Sequence, residues 1–273
     1  MSIQDSPLGK HTAYVSEYDP SLLHPIPRAQ SRQSLGLGGS LPFQGFDLWN
    51  GYELSWLNAK GKPVVALAEF RIPCDSRNII ESKSFKLYLN SLNQTRFDGF
   101  GQVLTVLRKD LSAALVTEGL EIKLLSVEEA FQADPLPQAI CLDELDVEVE
   151  QYHPNPDLLQ LDASSEVVEE TLLSHLLKSN CPVTGQPDWA SLIVEYRGRK
   201  LDHAALLRYI ISFREHQDFH EHCVERIFCD LMARCQPESL TVYARYTRRG
   251  GLDINPLRTT GNSRLGNLRL VRQ

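Results

Sequence analysis

A thiol and a carboxyl group lie seven positions apart at Cys181 and Asp188, separated by the run Pro-Val-Thr-Gly-Gln-Pro. Two prolines and one glycine predict a stiff loop there rather than a helix. A cysteine and an aspartate held close on such a loop can act as nucleophile and proton donor at one reacting centre. The alternative is a small buried cysteine beside a turn-forming aspartate, which is the commoner situation for a free cysteine.

Charge and composition exclude several classes of protein. The chain has 273 residues, enough for one large or two ordinary domains. Its net charge of -7 argues against a protein that coats nucleic acid. No apolar run approaches the length of a membrane span, and the polar N-terminus has no signal-peptide core, so we expect a cytoplasmic protein with no membrane partner. Its six cysteines are expected to be thiols.

The first half of the chain has a polar start followed by regular elements. Residues 1–45 are rich in Ser, Pro, Gly and Leu, which predicts an irregular N-terminal arm. The elements predicted after it are a strand over residues 63–70 following a turn at Gly61–Lys62, helices starting near Ser82 and over residues 100–111, and a strand over residues 120–124.

The run Glu81-Ser82-Lys83-Ser84 lies where the first of these helices should begin. A serine at Ser82 or Ser84 can cap the free N–H groups of the first turn. Together with Lys83, those groups could also hold a phosphate, because the start of a helix favours an anion. Capping serines beside a solvated lysine are common, and the run alone does not decide between the two interpretations.

The second half begins after an acidic, proline-containing stretch over residues 126–165. That stretch is either a connection between modules or one more strand, formed by the alternation of Leu145, Val147 and Val149. The elements predicted after it are a helix over residues 167–177, a strand over 191–196, a helix capped by Asp202, a helix capped by Asp218 and ended by Pro237, and a strand over 240–246.

The two halves repeat one order of elements and some sequence. Ala68-Glu69-Phe70-Arg71 parallels Val194-Glu195-Tyr196-Arg197, and in each half a strand, two helices and a strand follow in the same order. We therefore predict an α+β protein with a duplicated module of antiparallel strands and helices on one face. The predicted boundaries are 1–45 for the arm, 46–150 for the first module and 151–273 for the second.

A histidine-rich segment precedes the last predicted helix. His216, His220, His222 and Cys223 are close enough to suggest a metal site, but Asp218 should start the helix between them, which leaves a cap region with solvated histidines as the alternative. His220 shares the apolar stripe of Val224 and should face inward. The neighbouring Glu221 is either a capping residue or an acceptor of two hydrogen bonds from an amino-pyrimidinone edge such as that of guanine.

Long motifs in a fixed order give the chain a resemblance to a known family. They are Tyr52 to Asn58, Glu81 to Tyr88, Cys181 to Trp189, Phe219 to Glu221 with Cys223 to Arg226, and Tyr243 to Gly251. With these motifs the chain resembles the bimodular form of the NADPH-dependent 7-cyano-7-deazaguanine reductases, the nitrile reductases of queuosine biosynthesis. The resemblance covers nearly the whole chain.

The resemblance implies a fold and a reaction. The fold is two tandem tunnelling-fold modules that assemble around a central tunnel, and since two modules are too few to close it, at least a homodimer is expected. Cys181 would attack the nitrile carbon to give a covalent thioimide, Asp188 would protonate the nitrogen, and His220 would assist proton transfer. Two NADPH per turnover would give 7-aminomethyl-7-deazaguanine, with no metal and no nucleic-acid partner.

The same resemblance implies the binding residues. The base would contact five residues, namely Ile80, Glu81, Ser82, His220 and Glu221. NADPH would be held by Ser82, Lys83, Arg249 and Gly250, where basic groups suit its additional phosphate.

Two alternatives differ in chemistry. One is a zinc-dependent cyclohydrolase or pterin synthase on the same fold, which needs a convincing set of His and Cys ligands. The other is a non-catalytic purine-binding protein, which leaves the pairing of Cys181 with Asp188 unexplained.

Overall fold

The structure is a computed structural model that describes residues 14–129, 134, 137–164 and 166–273. It is a mixed α+β protein with mainly antiparallel strands, as predicted. Its internal contacts divide the chain into two units, as far as their residues are described. Unit 1 comprises Met1–Gly38, Asp47–Gln132 and Arg248–Asp253; unit 2 comprises Gly39–Phe46, Ala133–Thr247 and Ile254–Gln273.

Unit 1 contains the elements of the first half of the chain. They are β1 (Pro25–Pro27), α1 (Arg28–Gln33), β2 (Gln44–Leu57, in this unit from Asp47), β3 (Pro63–Pro73), β4 (Asn78–Ile80), α2 (Ser82–Ser91), α3 (Phe100–Leu115) and β5 (Glu121–Ser126). The order of the main strands is β5-β3-β2, and β1 pairs separately with β4. Both helices and the strands β3 and β5 confirm the predictions, whereas β1 and α1 lie in the stretch expected to be irregular.

Aromatic rings form the centre of unit 1. The Phe85 ring on α2 makes edge contacts with Trp49 of β2 and Phe70 of β3, at centroid distances of 5.3 and 5.1 Å. The next turn of α2 presents Tyr88, whose hydroxyl donates a 2.8 Å hydrogen bond to Asp110 of α3. These contacts fix the position of α2, and therefore of the Glu81-Ser82-Lys83 run at its start.

Unit 2 contains the elements of the second half. They are β6 (Ile140–Cys141), β7 (Val167–Asn180), β8 (Pro187–Arg199), α4 (His203–Ile211), α5 (His220–Cys235), β9 (Ser239–Tyr246) and β10 (Leu252–Thr259, in this unit from Ile254). Their strand order is β10-β9-β8-β7-β6, antiparallel except for the short parallel pairing of β6 with β7. The strands predicted over 191–196 and 240–246 and the helix capped by Asp202 are confirmed.

The helix predicted over residues 167–177 was wrong, because this segment is the strand β7. It pairs with β8 from Val167 opposite Arg199 to Asn180 opposite Pro187, with one irregularity between Ser174 and Leu177. The glutamates and leucines of the segment favour a helix locally, but cross-strand pairing outweighs that preference. The possible strand over 145–149 does not form.

Two predicted helix caps were also wrong. Helix α2 is capped by the side chain of Glu81 rather than by a serine. Helix α5 begins after Phe219, which makes no side-chain cap, while Asp218 accepts a hydrogen bond from the Phe219 N–H outside the helix.

The sequence analysis did not predict β10, because this buried strand contains the charged residues Asp253 and Arg258. Arg258 is fully buried and donates two hydrogen bonds to a carboxylate oxygen of Glu225 on α5, at 3.1 and 2.9 Å. In a sequence, an arginine suggests exposure, and only the tertiary partner makes this position compatible with a core strand.

Within the described ranges, no helix is long and apolar enough to cross a membrane. All six cysteines lie in the described ranges and none forms a disulfide, so they are thiols as predicted.

Candidate active site

Cys181 lies in the tight connection between β7 and β8. Its N–H donates to the Gln186 carbonyl at 2.9 Å, and its own carbonyl accepts from the Gly185 N–H at 3.0 Å. Gly185 has a φ of +67°, a left-handed conformation that glycine adopts without strain. The predicted rigid loop is therefore a short hairpin connection, and it holds Cys181 at 3% exposure.

Asp188 is the second residue of β8, directly after the same hairpin connection. It is paired across the strands with Ser179 of β7. Asp188 is 6% exposed, and its Oδ2 lies 3.4 Å from Nε2 of His220 at the start of α5. The structure thus brings two of the three predicted catalytic side chains together and places the third, Cys181, in the connection that leads into β8.

Tyr246, at the end of β9, determines the orientation of the His220 ring. The two rings are stacked with centroids 3.7 Å apart and an angle of 3° between their planes. Burial raises the pKa of Tyr246 well above its usual value, and the neighbouring Cys223 raises it further. Burial also raises the pKa of Cys223 to about 12, which keeps that thiol protonated and excludes it as a nucleophile at neutral pH.

The chain just before α5 is tied to the residue that precedes Cys181. The Asn180 N–H donates to the His216 carbonyl at 2.8 Å, and the Asp218 N–H donates to the Asn180 carbonyl at 3.1 Å. These two backbone bonds connect the end of β7 to the start of α5. They fix the position of His220 relative to the hairpin that holds Cys181 and Asp188.

Asp218 organises the remaining histidines of the segment. Its carboxylate is hydrogen-bonded to Nδ1 of His222 and lies 3.4 Å from Nε2 of His216. Burial acts to raise the pKa of Asp218, but His216 and His222 outweigh burial and hold it well below its usual value. In the described residues the histidine-rich segment is held together by contacts of His216 and His222 with the Asp218 carboxylate, and its His and Cys side chains do not converge on a common metal position.

Glu221 occupies the first turn of α5 at 5% exposure. The partial positive charge of a helix start favours a carboxylate at this position. The predicted inward orientation of His220 and its placement beside Glu221 at the helix start are both found.

The predicted base- and phosphate-binding run lies in unit 1, with Ile80 ending β4 and Ser82 starting α2. Glu81 between them is fully buried, and its two carboxylate oxygens accept from the N–H groups of Lys83 at 2.7 Å and Ser84 at 2.8 Å. The Glu81 carboxylate therefore caps α2, a role that sequence reasoning had given to the serines.

Arg249 and Gly250 lie in the turn between β9 and β10, which belongs to unit 1. Gly250 has a φ of +58°, and a Cβ built there would lie 3.2 Å from Nζ of Lys86 on α2. This turn is therefore packed beside α2, the helix that also carries Ser82 and Lys83. Sequence reasoning missed Lys86 and the neighbouring Arg248, whose guanidinium lies 4.6 Å from the ring centroid of Tyr52.

Comparisons with known proteins give one consistent result. The family model described as "Nitrile reductase, 7-cyano-7-deazaguanine-reductase N-term" matches residues 14–124, and the one described as "QueF-like protein" matches residues 187–264. A curated protein of Bordetella avium (strain 197N), named NADPH-dependent 7-cyano-7-deazaguanine reductase, is 60% identical over the full length of both chains. One of the same name from Hahella chejuensis is 61% identical over 97% of each chain.

A solved structure of an archaeosine synthase QueF-Like protein in the apo form is also similar. It is 20% identical, with a TM-score of 0.31, and the match covers 36% of this chain and 95% of that one. A similarity at this level does not establish a shared fold.

Proposed function

We infer the activity from one premise: this chain belongs to the family of NADPH-dependent 7-cyano-7-deazaguanine reductases. It is an oxidoreductase that uses NADPH to reduce the nitrile of 7-cyano-7-deazaguanine, in queuosine biosynthesis. The product is the primary amine, so each nitrile takes up two hydrides and two protons. The observation that carries the residue assignments below is the placement of Cys181, Asp188 and His220 at one hairpin and one helix start.

Cys181 is the proposed nucleophile. Its sulfur adds to the nitrile carbon, and the nitrile nitrogen takes up a proton, which gives a thioimide bound to the enzyme. Covalent capture suits this substrate because a nitrile is a weak electrophile, whereas a thioimide accepts hydride more readily. The low exposure of Cys181 supports this role, since a dry site protects the thioimide from hydrolysis.

Asp188 is the proposed proton donor to the nitrile nitrogen. Its carboxyl group is nearly buried, and its distance of 3.4 Å from His220 allows the two side chains to share proton transfer. The stacked Tyr246 holds the His220 ring in the orientation that faces Asp188. His220 and Glu221 are then proposed to bind the base edge, together with Ile80, Glu81 and Ser82.

NADPH, when bound, supplies the hydride. The side chains proposed to hold it are Ser82 and Lys83 on α2 and Arg249 in the adjacent turn, with Gly250 allowing close approach of the backbone. They fit a phosphate-bearing group, because two basic side chains and a helix start belong to one unit, and Lys86 adds a third positive charge.

The proposal extends to architecture and assembly. Each half of the chain is proposed to be a tunnelling-fold module, with boundaries at 46–150 and 151–273 and an arm before them. The protein is proposed to act in the cytoplasm as a homodimer on a small-molecule substrate.

The test combines NADPH absorbance with intact mass on full-length protein mixed with 7-cyano-7-deazaguanine. We expect two NADPH consumed per substrate, and in the absence of NADPH an adduct with the mass of the substrate. Cys181→Ala should form no adduct, whereas the control Cys229→Ala should form it normally. Absence of both NADPH consumption and adduct would refute the activity; consumption with an adduct that persists in Cys181→Ala would refute only the nucleophile.

A further inference from the structure

The acidic stretch between the two halves contributes to a second cluster of chemically active side chains that the reductase reaction does not use. Sγ of Cys141, a carboxylate oxygen of Asp143 and a ring nitrogen of His175 lie within 4.8 Å of one another in unit 2. Sulfur, imidazole nitrogen and carboxylate oxygen are the three ligand types that zinc takes in proteins. We propose that Cys141, Asp143 and His175 bind a Zn²⁺ ion at a site separate from the residues proposed for nitrile reduction.

The backbone already holds two of the ligands in place. Cys141 belongs to β6, which pairs in parallel with Leu172 and Leu173 of β7. The following Leu142 is 1% exposed, and its N–H donates a 2.9 Å hydrogen bond to the Leu173 carbonyl. This anchor presents Cys141 and Asp143 on either side of a buried leucine, directed toward His175 two residues further along β7.

The Asp143 carboxylate is oriented by hydrogen bonds from β7. Its Oδ1 accepts from the Ser174 hydroxyl at 2.7 Å, and its Oδ2 accepts from the His175 N–H at 2.9 Å. Each oxygen keeps a further lone pair, because a carboxylate offers about four acceptor positions. These hydrogen bonds fix the orientation of the carboxylate, and its oxygens can still bind a metal ion.

The His175 ring is oriented by a partner outside the ligand set. Its Nδ1 lies 2.7 Å from Oγ of Ser191 on β8. In the tautomer whose Nδ1–H donates to Ser191 Oγ, the lone pair of Nε2 is left for a metal. This arrangement is typical of metal-binding histidines, whose second nitrogen is held by a hydrogen-bonding partner.

The charges around the cluster favour a cation on balance. A deprotonated Cys141 and Asp143 carry two negative charges, and Glu144, Asp146, Glu148 and Glu150 follow within the same segment. The opposing charge is Arg272, which donates to the His175 carbonyl at 2.8 Å and lies 3.4 Å from Ser191 Oγ. Cys141 is exposed, so the ion can enter from solvent, and three protein ligands leave a fourth position for water.

A metal at this position would crosslink the segment 140–143 to β7. Among the described residues, β6 pairs with β7 through two residues, so the ion would add to the attachment that Leu142 and Asp143 already provide. We therefore expect Zn²⁺ to raise the thermal midpoint and to slow proteolytic cleavage between residues 137 and 164, an effect that is independent of reductase turnover.

The test is a Zn²⁺ titration of chelator-treated, full-length protein against a competing chromophoric chelator. Wild-type protein should bind one equivalent, and Co²⁺ in its place should show thiolate-to-metal charge-transfer absorption. Cys141→Ala and His175→Gln should each weaken binding by at least about tenfold, and Ser191→Ala should weaken it roughly 10- to 100-fold. The control Cys229→Ala should bind as wild type.

The competing location is the active site, where Cys181 and His220 also offer sulfur and nitrogen. The proposal requires that the Cys181→Ala protein still binds one equivalent of Zn²⁺. Binding that is lost in Cys181→Ala but kept in Cys141→Ala would overturn it, as would a wild-type protein that binds no equivalent. Far-UV circular dichroism on each variant separates loss of ligands from loss of folding.

Discussion

At the scale of single residues, Tyr246 limits the positions that the His220 ring can take. The rings are in parallel contact, and Tyr246 is fully buried, so neither can tilt without disturbing the core. Tyr246→Phe keeps the stacking face and should retain most of kcat. Tyr246→Leu removes it, and we expect kcat to fall by about 100-fold, the typical effect of a small misplacement of a catalytic group.

Steady-state NADPH oxidation measures this effect, and thermal unfolding of both variants is the control. A Tyr246→Leu enzyme that is folded and has wild-type kcat would show that the stacking does not position His220.

Asp218 makes the free energy of unfolding depend on pH in the acidic range. The pKa of its carboxyl is lower in the folded state than its unfolded value of about 3.9, so the carboxylate stabilises the fold above about pH 4. That stabilisation is lost as the pH falls toward the lowered folded pKa. Asp218→Asn should therefore reduce the free energy of unfolding by about 1–3 kcal/mol near pH 7, and the difference from wild type should shrink below about pH 4.

Urea unfolding of both proteins near pH 7, 5 and 3 checks the sign of this dependence. A difference at pH 3 that is no smaller than the difference at pH 5 would mean that the Asp218 carboxylate does not stabilise the fold through His216 and His222.

Residue types and spacing predicted part of the candidate site. The prolines and Gly185 indicated a rigid connection, and the apolar stripe indicated that His220 points inward; both are found. The stacking partner Tyr246 was not predicted, although it lies within a motif that carried the family resemblance. Its role depends on the crossing of β9 and α5, and no local pattern encodes that contact.

At the scale of elements, amphipathic helices were predictable, and buried strands with charged residues were not. The apolar periodicity of α3, α4 and α5 follows directly from one-sided burial. The strand β7 carries glutamates and leucines that favour a helix, and β10 carries Arg258, which depends on Glu225. In both cases the structure is determined by contacts with residues that are distant in the sequence.

The cap of α2 leads to a prediction that separates stability from substrate binding. Glu81→Ala removes both capping hydrogen bonds and should lower the free energy of unfolding by about 1 kcal/mol. Glu81→Gln keeps an acceptor oxygen and should lose less stability. If the Glu81 charge also contacts the base, Glu81→Gln should still raise KM for 7-cyano-7-deazaguanine.

The matched control is Asp202→Ala, which removes the 2.9 Å cap of α4 in unit 2 and has no proposed ligand. We expect it to lose similar stability with an unchanged KM. An unchanged KM in Glu81→Gln as well would leave Glu81 with a capping role alone.

At the scale of the whole molecule, open strand edges favour association. In the described part of unit 1, β5 ends the strand order and pairs only with β3. Among the residues of unit 2 that the structure describes, β6 pairs with only Leu172 and Leu173 of the much longer β7. Apolar side chains are exposed on β7, with Val167 at 55% and Leu176 at 39%. Proteins rarely leave long apolar edges open, because such edges pair with other chains.

We therefore predict that the active protein is at least a dimer, with a solution mass about twice the 30.9 kDa of the chain or more. Light scattering coupled to size exclusion measures the mass, and turnover across a dilution series measures whether activity depends on association. Leu176→Lys places a charge on the β7 edge and should lower both the mass at a given concentration and the activity on dilution.

Val271→Lys is the matched control, because Val271 is fully exposed and lies outside every strand. It should leave mass and activity unchanged, since it adds the same charge away from any edge. A wild-type protein that turns over at full rate with the mass of a single chain would contradict the prediction, and the open edges of β5 and β7 would then be features of a stable monomer.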